Sequence, residues 1–312
     1  MTKEQPNPKT KSGAKSLLKF CGPTANSISN LKAGALYCQH FTAYNDPFEF
    51  WANLSEGIPD AESEADRFLA AVNAWGFDIR SISEAKKTPE LWENVLEYFD
   101  ECQHYQPPFN VMQNKIRLAC FGSQEDNLLM WSHYADGLRG FCISFNEELT
   151  ERAEPKGYLV DVSYLEAPPN VDSFVYAIAS DQDWYSQTAI EETNVMIQHQ
   201  GKTERQADIP MYEQSGAEAL TTMRDIWQLV FATKPSEWKY EQERRLLVQT
   251  DRSDAQPILR TYPRKAVKEI ILGERMPHDY RQELLSVLRQ HFDEVPVRTA
   301  RRARDHYTLT ID

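Results

Sequence analysis

The sequence predicts an α+β fold: a mixed or antiparallel split sheet of about eight short strands, interrupted by helical insertions. Three observations predict it. Short apolar runs rich in β-branched and aromatic residues recur between turn signals. Two long stretches carry helical spacing instead. A content of 41% hydrophobic and 11% aromatic residues supplies a sizeable core to the 312-residue chain.

Residues 1–15 hold Lys, Pro and Ser and almost nothing to bury, which predicts a disordered tail. A single α+β domain is expected over 16–312, with helical insertions near 58–106 and 181–231. LKAGALYCQH predicts a helix end, a turn at Gly34 and a strand from Ala35 to Cys38. PDAESEADRFLAAVNAWGF is a helix, with acidic residues in its first turn and Phe68, Leu69, Val72 and Trp75 at helical spacing. TPELWENVLEYFDECQHY is a second, with Pro89 near its start and Pro107-Pro108 closing the region.

IRLACFG (116–122) reads as a buried strand. Asp126 or Asn127 then caps a helix through Met130, Trp131 and Tyr134, which Gly137 stops. GFCISF and YLVDVSY follow as strands, and 181–231 turns helical with acidic faces. RRLLVQ, VKEIILG, VPVRTA and HYTLTI complete the strands, with an amphipathic helix at PHDYRQELLSVLRQHF.

Net charge is −13, from 34 basic and 47 acidic residues, which argues against avid non-specific binding to phosphate backbones. RTYPRK (260–265) and RTARRAR (298–304) still leave room for a local basic groove. Five dispersed cysteines without C-x-x-C point to neither a disulfide framework nor a zinc ribbon, and fit a reducing cytoplasm. No signal-like apolar run and no membrane-length segment occurs, so a cytoplasmic protein without membrane contact is expected. The glycine and serine motifs of P-loop, dinucleotide-binding and α/β-hydrolase folds are absent.

Candidate chemistry sits in three places, each with a plainer alternative. Asn45-Asp46-Pro47 is a turn that either only leads into a helix or sets Asp46 and Glu49 beside aromatic residues, where carboxylates bond ribose hydroxyls or accept a proton. WSHY places Trp131, Tyr134 and Leu138 on one helix face, with His133 turned elsewhere, as core packing or as the wall of a pocket. A lone histidine is poor evidence for a metal, and no metal centre is expected. In SEWKYEQERRLLV, Glu241, Glu243 and Arg245 alternate at a strand entrance behind Trp238 and Tyr240. That pattern is either a salt-bridged surface strand or two carboxylates side by side on one face.

LKAGALYCQHFTAYNDPFEF, ACFGSQEDNLLMWSHYADGLRGFCISF, WKYEQERRLLV and VKEIILGERM, in that order, resemble the bacterial family known as domain of unknown function 2971. The usual F-S pair of that family is Phe121-Gly122 here, and its E-W-R is Glu243-Arg244-Arg245. More distantly, LKAGALYCQHFT and Glu241-Gln242-Glu243 resemble the nicotinamide-holding segment and the late E-x-E of ADP-ribosyltransferases. The resemblance implies an NAD-using transferase, acting as a toxin or phage-defence effector on a protein or nucleic-acid acceptor, with a regulatory partner protein in some settings. It would make Glu243 the catalytic carboxylate, with Glu241 and His133 assisting. Tyr37, His40, Asn45, Asp46, Trp131, Tyr134 and Arg245 would hold the NAD. Two other readings stay open: a nuclease holding Mg²⁺ on Asp46, Glu49, Glu241 and Glu243, and a non-catalytic ligand sensor or partner-binding subunit.

Overall fold

Alternating and continuous apolar runs pair into several small sheets in this computed structural model, which describes residues 17–105, 107, 109–146, 155, 157–292 and 294–312. The tail at 1–15 lies outside the described residues, as does Pro108. In chain order the strands are β1 Leu17–Cys21, β2 Ala35–Cys38, β3 Asn53–Ser55, β4 Ile116–Phe121, β5 Phe141–Phe145, β6 Gly157–Asp161 and β7 Ser163–Leu165. They continue with β8 Asn170–Asp172, β9 Thr233–Pro235, β10 Arg244–Gln249, β11 Ile258–Thr261, β12 Val267–Gly273, β13 Val297–Arg302 and β14 Leu309–Ile311. The fold is α+β, with fourteen described strands in place of eight. YLVDVSY divides into β6 and β7, while β1, β3, β8, β9 and β11 are additions, several only three residues long.

The largest sheet runs β1-β5-β12-β13-β14 and mixes antiparallel pairs with the parallel pair β12–β13. A second sheet, β4-β10-β6, is antiparallel. The two meet at one bridge, where Leu18 and Gly122 exchange backbone hydrogen bonds of 3.0 and 2.8 Å. A matching bridge between Gln39 and Leu118 hangs β2, and β11 beside it, on β4. The sheet is therefore split, and the split opens beside β1 and β4.

Period-two alternation puts β4 and β10 between two cores. Ala119, Phe121, Leu246 and Val248 pack with Phe141, Phe145 and Leu284 on one side. Ile116, Leu118 and Leu247 pack on the other with Phe68, Val95, Phe99, Phe174 and Phe231, which come from the helices. Those helices are Ala65–Ala74, Pro89–Cys102, Ser173–Gln200 and Ile209–Phe231. The second helical region thus begins before residue 181. Among the described residues no helix is long and apolar enough to cross a membrane.

Candidate functional site

The helix Ile209–Phe231 ends one residue before a short apolar-polar run, Ala232-Thr233-Lys234-Pro235. Thr233–Pro235 forms β9 by pairing in parallel with β7, which sets Lys234 opposite Tyr164. A 3₁₀ turn over Ser236–Glu241 follows, and Gln242 adopts a left-handed φ of 44°. Glu241 and Glu243 therefore converge through a turn, not by alternation along a strand, since β10 begins only at Arg244. The turn is pinned on three sides. Asn127 Nδ2 donates to the Tyr240 carbonyl at 2.5 Å, Ser123 Oγ to the Gln242 carbonyl at 2.7 Å, and the Glu243 N–H to Tyr164 Oη at 2.8 Å.

What converges is a buried chain of charges. Lys234 Nζ lies 2.7 Å from Glu241 Oε2 and 2.7 Å from Glu243 Oε2. Arg245 Nε donates to Glu243 Oε1 at 2.8 Å, and its terminal nitrogens clasp both oxygens of Glu49 at 2.6 and 2.9 Å. Arg245 also donates to the Phe231 carbonyl, and Tyr134 Oη donates to Glu241 Oε1 at 2.5 Å. All five charged residues are buried, Arg245 completely. Three carboxylates against two cations leave a formal excess of one negative charge if all are ionised.

That excess sets the protonation pattern. Burial pushes Glu49 up to about 7 despite Arg245, and burial likewise raises Glu241 although Lys234 opposes it. Glu243 goes the other way: burial opposes its charge, but Arg245 and Lys234 together hold it well below the usual carboxylate range. Lys234 stays protonated because Glu243 and Glu241 outweigh the burial that disfavours its charge.

One end of this chain opens on a cavity of about 260 Å³ at the split between the sheets. Leu18, Lys19 and Phe20 of β1 form one wall, and Cys120 and Phe121 of β4 another. Gln39, Tyr44, Asn45 and Met130 line it further, with Tyr134, Lys234, Glu241 and Glu243 supplying the charged and phenolic side. Lys19 donates to the Cys120 carbonyl at 3.1 Å and pairs with no carboxylate among the described residues. Tyr44 Oη is anchored on the Leu118 carbonyl at 2.7 Å.

The expected site residues divide. Asn45, Tyr134, Glu241 and Glu243 line the cavity, and Arg245 stands behind Glu243. His133 is exposed and faces Tyr240, ring centroids 6.1 Å apart, and it is not among the lining residues. Tyr37 is exposed on β2. His40 is buried, its Nδ1 2.8 Å from Thr42 Oγ1, and its basicity is lowered by burial and by Arg117. Asp46 is buried too, and Oδ1 accepts from the Phe48 N–H at 2.9 Å, which builds the turn that delivers Glu49. Trp131 is fully buried and packs in the core with Phe20, Leu18 and Cys142 of the large sheet. Its helix stops at Tyr134, so Leu138 joins that core from the following turn.

Lys234, Lys19, Gln39 and Tyr44 carry the site without having been singled out. Nothing around Lys234 in the sequence marks it as buried. Its Pro neighbour and its place just past a helix both suggest a surface loop.

Residues 130–246 match the profile of a protein family of unknown function, DUF2971. The matched segment runs from Met130 at the cavity to Leu246 in β10, and so includes Tyr134, Lys234, Glu241, Glu243 and Arg245. No curated protein and no solved structure matches the chain.

Proposed function

We propose that the cavity receives the nicotinamide-ribose end of NAD and that the protein is an ADP-ribosyltransferase-like enzyme acting on a macromolecular acceptor. The observation that carries this reading is the meeting of Glu241 and Glu243 with Tyr44, Tyr134, Phe20 and Phe121 around one small cavity. Aromatic faces suit a flat nicotinamide ring. A volume of about 260 Å³ is below the roughly 300–1,000 Å³ of sites that enclose whole ligands, so it suits one end of a dinucleotide. Lys19, a lining cation that pairs with no carboxylate among the described residues, suits the adjoining phosphates.

In such a transfer the ribose C1′–N bond breaks and its electron pair leaves with nicotinamide. The acceptor forms the new bond to C1′ and gives up a proton. Glu243, held ionised by Arg245 and Lys234, would stabilise the developing cation. Glu241 would take the proton, its raised affinity for one being suited to a general base. The nuclease alternative needs carboxylates free to hold Mg²⁺, yet Arg245 engages Glu49 and Glu243 while Lys234 engages Glu241 and Glu243. The basic runs are also largely committed: Arg260 is buried, Arg298 pairs with Glu125 and Glu269, and Arg301 and Arg302 pair with Asp312 and Glu274.

The test is nicotinamide release from NAD in the presence of EDTA, for wild type, Glu243→Gln and Tyr134→Phe. Glu243→Gln should lower turnover per folded molecule by about 10²–10³, the scale of one preorganised electrostatic partner. Absence of NAD turnover and of saturable NAD binding, or Glu243→Gln turnover equal to wild type, overturns the reading.

A further inference from the structure

We propose that a groove on the far side of Lys234 docks a lysine- or arginine-bearing peptide segment of a partner protein. The groove, about 190 Å³, is bounded by Phe48, Trp51, Pro168, Glu166, Thr233 and Glu237. It lies beside the cavity at the split sheet, since Lys234 lines both. The inference stands whether or not that cavity binds NAD.

Two exposed aromatic rings mark the groove. Trp51 is 58% and Phe48 48% exposed, with ring centroids 6.0 Å apart at an interplanar angle of 87°. Rings of this size held in water on a rim are costly to leave bare and present faces that attract cations. Two carboxylates, Glu166 and Glu237, stand in the same lining, both exposed and neither ion-paired among the described residues. Thr233 supplies an independent sign of a ligand: it is buried, it lines the groove, and its Oγ1 has no hydrogen-bond partner among the described residues. A guanidinium or ammonium group entering between Trp51 and the carboxylates would give that oxygen a donor. Lys234 does not oppose such a guest, because its ammonium is turned to Glu241 and Glu243, 2.7 Å from each. The volume admits one long side chain, which favours an extended segment over a folded surface. A chain of net charge −13 also draws basic partners towards itself.

The experiment is fluorescence anisotropy with a labelled tetra-arginine amide, titrated with wild type, Trp51→Ala and the double variant Glu166→Gln/Glu237→Gln. Wild type should bind saturably, and each variant should bind on the order of tenfold more weakly. The thermal midpoint should hardly move, because all three side chains are exposed. A labelled tetra-glutamate should not bind. Equal affinity of wild type and both variants would assign the peptide to diffuse attraction by the acidic surface and overturn the groove. So would wild type failing to bind it.

Discussion

Lys234→Met keeps the length and apolar stem of the side chain but leaves Glu243 with Arg245 alone and Glu241 buried without a paired cation among the described residues. Breaking a buried pair from one side typically costs about 3–5 kcal/mol, because an uncompensated charge stays behind. Urea denaturation near neutral pH should show a loss of that order, and an unchanged midpoint would mean that the ammonium is not where it neutralises the pair. Glu49 gives the complementary test. Its carboxyl is raised from 4.5 to about 7, so the folded protein keeps a proton that the unfolded chain has already released. The stability from this group is complete below pH 4.5 and drains away as pH rises to about 7. Glu243 has the opposite sign: its lowered value means that stability is lost as pH falls below 4.5. Glu49→Gln makes the remaining charges, Glu241 and Glu243 against Lys234 and Arg245, formally neutral. It should flatten the decline between pH 5 and 7, a difference on the order of 3 kcal/mol at most. Parallel stability profiles for wild type and variant would show that Arg245 keeps Glu49 ionised throughout.

The helix Leu128–Tyr134 positions Tyr134, and the sequence shows why it forms there. Asn127 caps it, accepting from the Leu129 and Met130 N–H groups at 3.1 and 3.2 Å, and Trp131 anchors it on β1. Trp131→Ala should cost roughly 3–5 kcal/mol, the range for a buried large aromatic, with the thermal midpoint falling accordingly. The turn after it relies on close backbone approach. A Cβ on Gly140 would stand 1.9 Å from the Cys21 carbonyl oxygen, whereas one on Gly22 would meet nothing within 4 Å. Gly140→Ala should therefore destabilise by at least about 1–3 kcal/mol, as overpacking does, and Gly22→Ala by much less. Comparable losses for the two would deny the close approach. At this scale the sequence is most legible where periodicity is long: the helices Ala65–Ala74 and Pro89–Cys102 and the strands β4, β5, β10 and β12 lie where their patterns place them. Three-residue strands such as β3, β8 and β9 are too short to carry a period, and β9 is the one that delivers Lys234.

Over the whole molecule, the candidate site depends on contacts between residues far apart in sequence, which local pattern does not encode. Glu49 reaches Arg245 across 196 positions, and the cavity lies between β1 and β4, which the Leu18–Gly122 bridge at the end of β4 and the Lys19 hydrogen bond to the Cys120 carbonyl hold together. The carboxylates at 241 and 243 were legible together with Arg245, but Lys234 and the depth of the network were not, since a sequence does not say which lysine is buried. Surface and interior charge should also answer differently to salt. Thirteen excess negative charges repel one another across the exterior, and raising NaCl from about 0.01 M to about 0.3 M shortens the screening length from roughly 30 Å to well under 10 Å. Relief of that repulsion should raise the thermal midpoint of wild type. The buried chain from Glu49 to Glu241 is shielded from the added ions, so the stability lost in Lys234→Met should be nearly the same at both salt concentrations. Melting wild type and variant side by side across that range separates the two contributions. If the penalty of Lys234→Met shrinks in step with screening, the network is open to solvent, and the cavity's carboxylates carry ordinary surface pKa values.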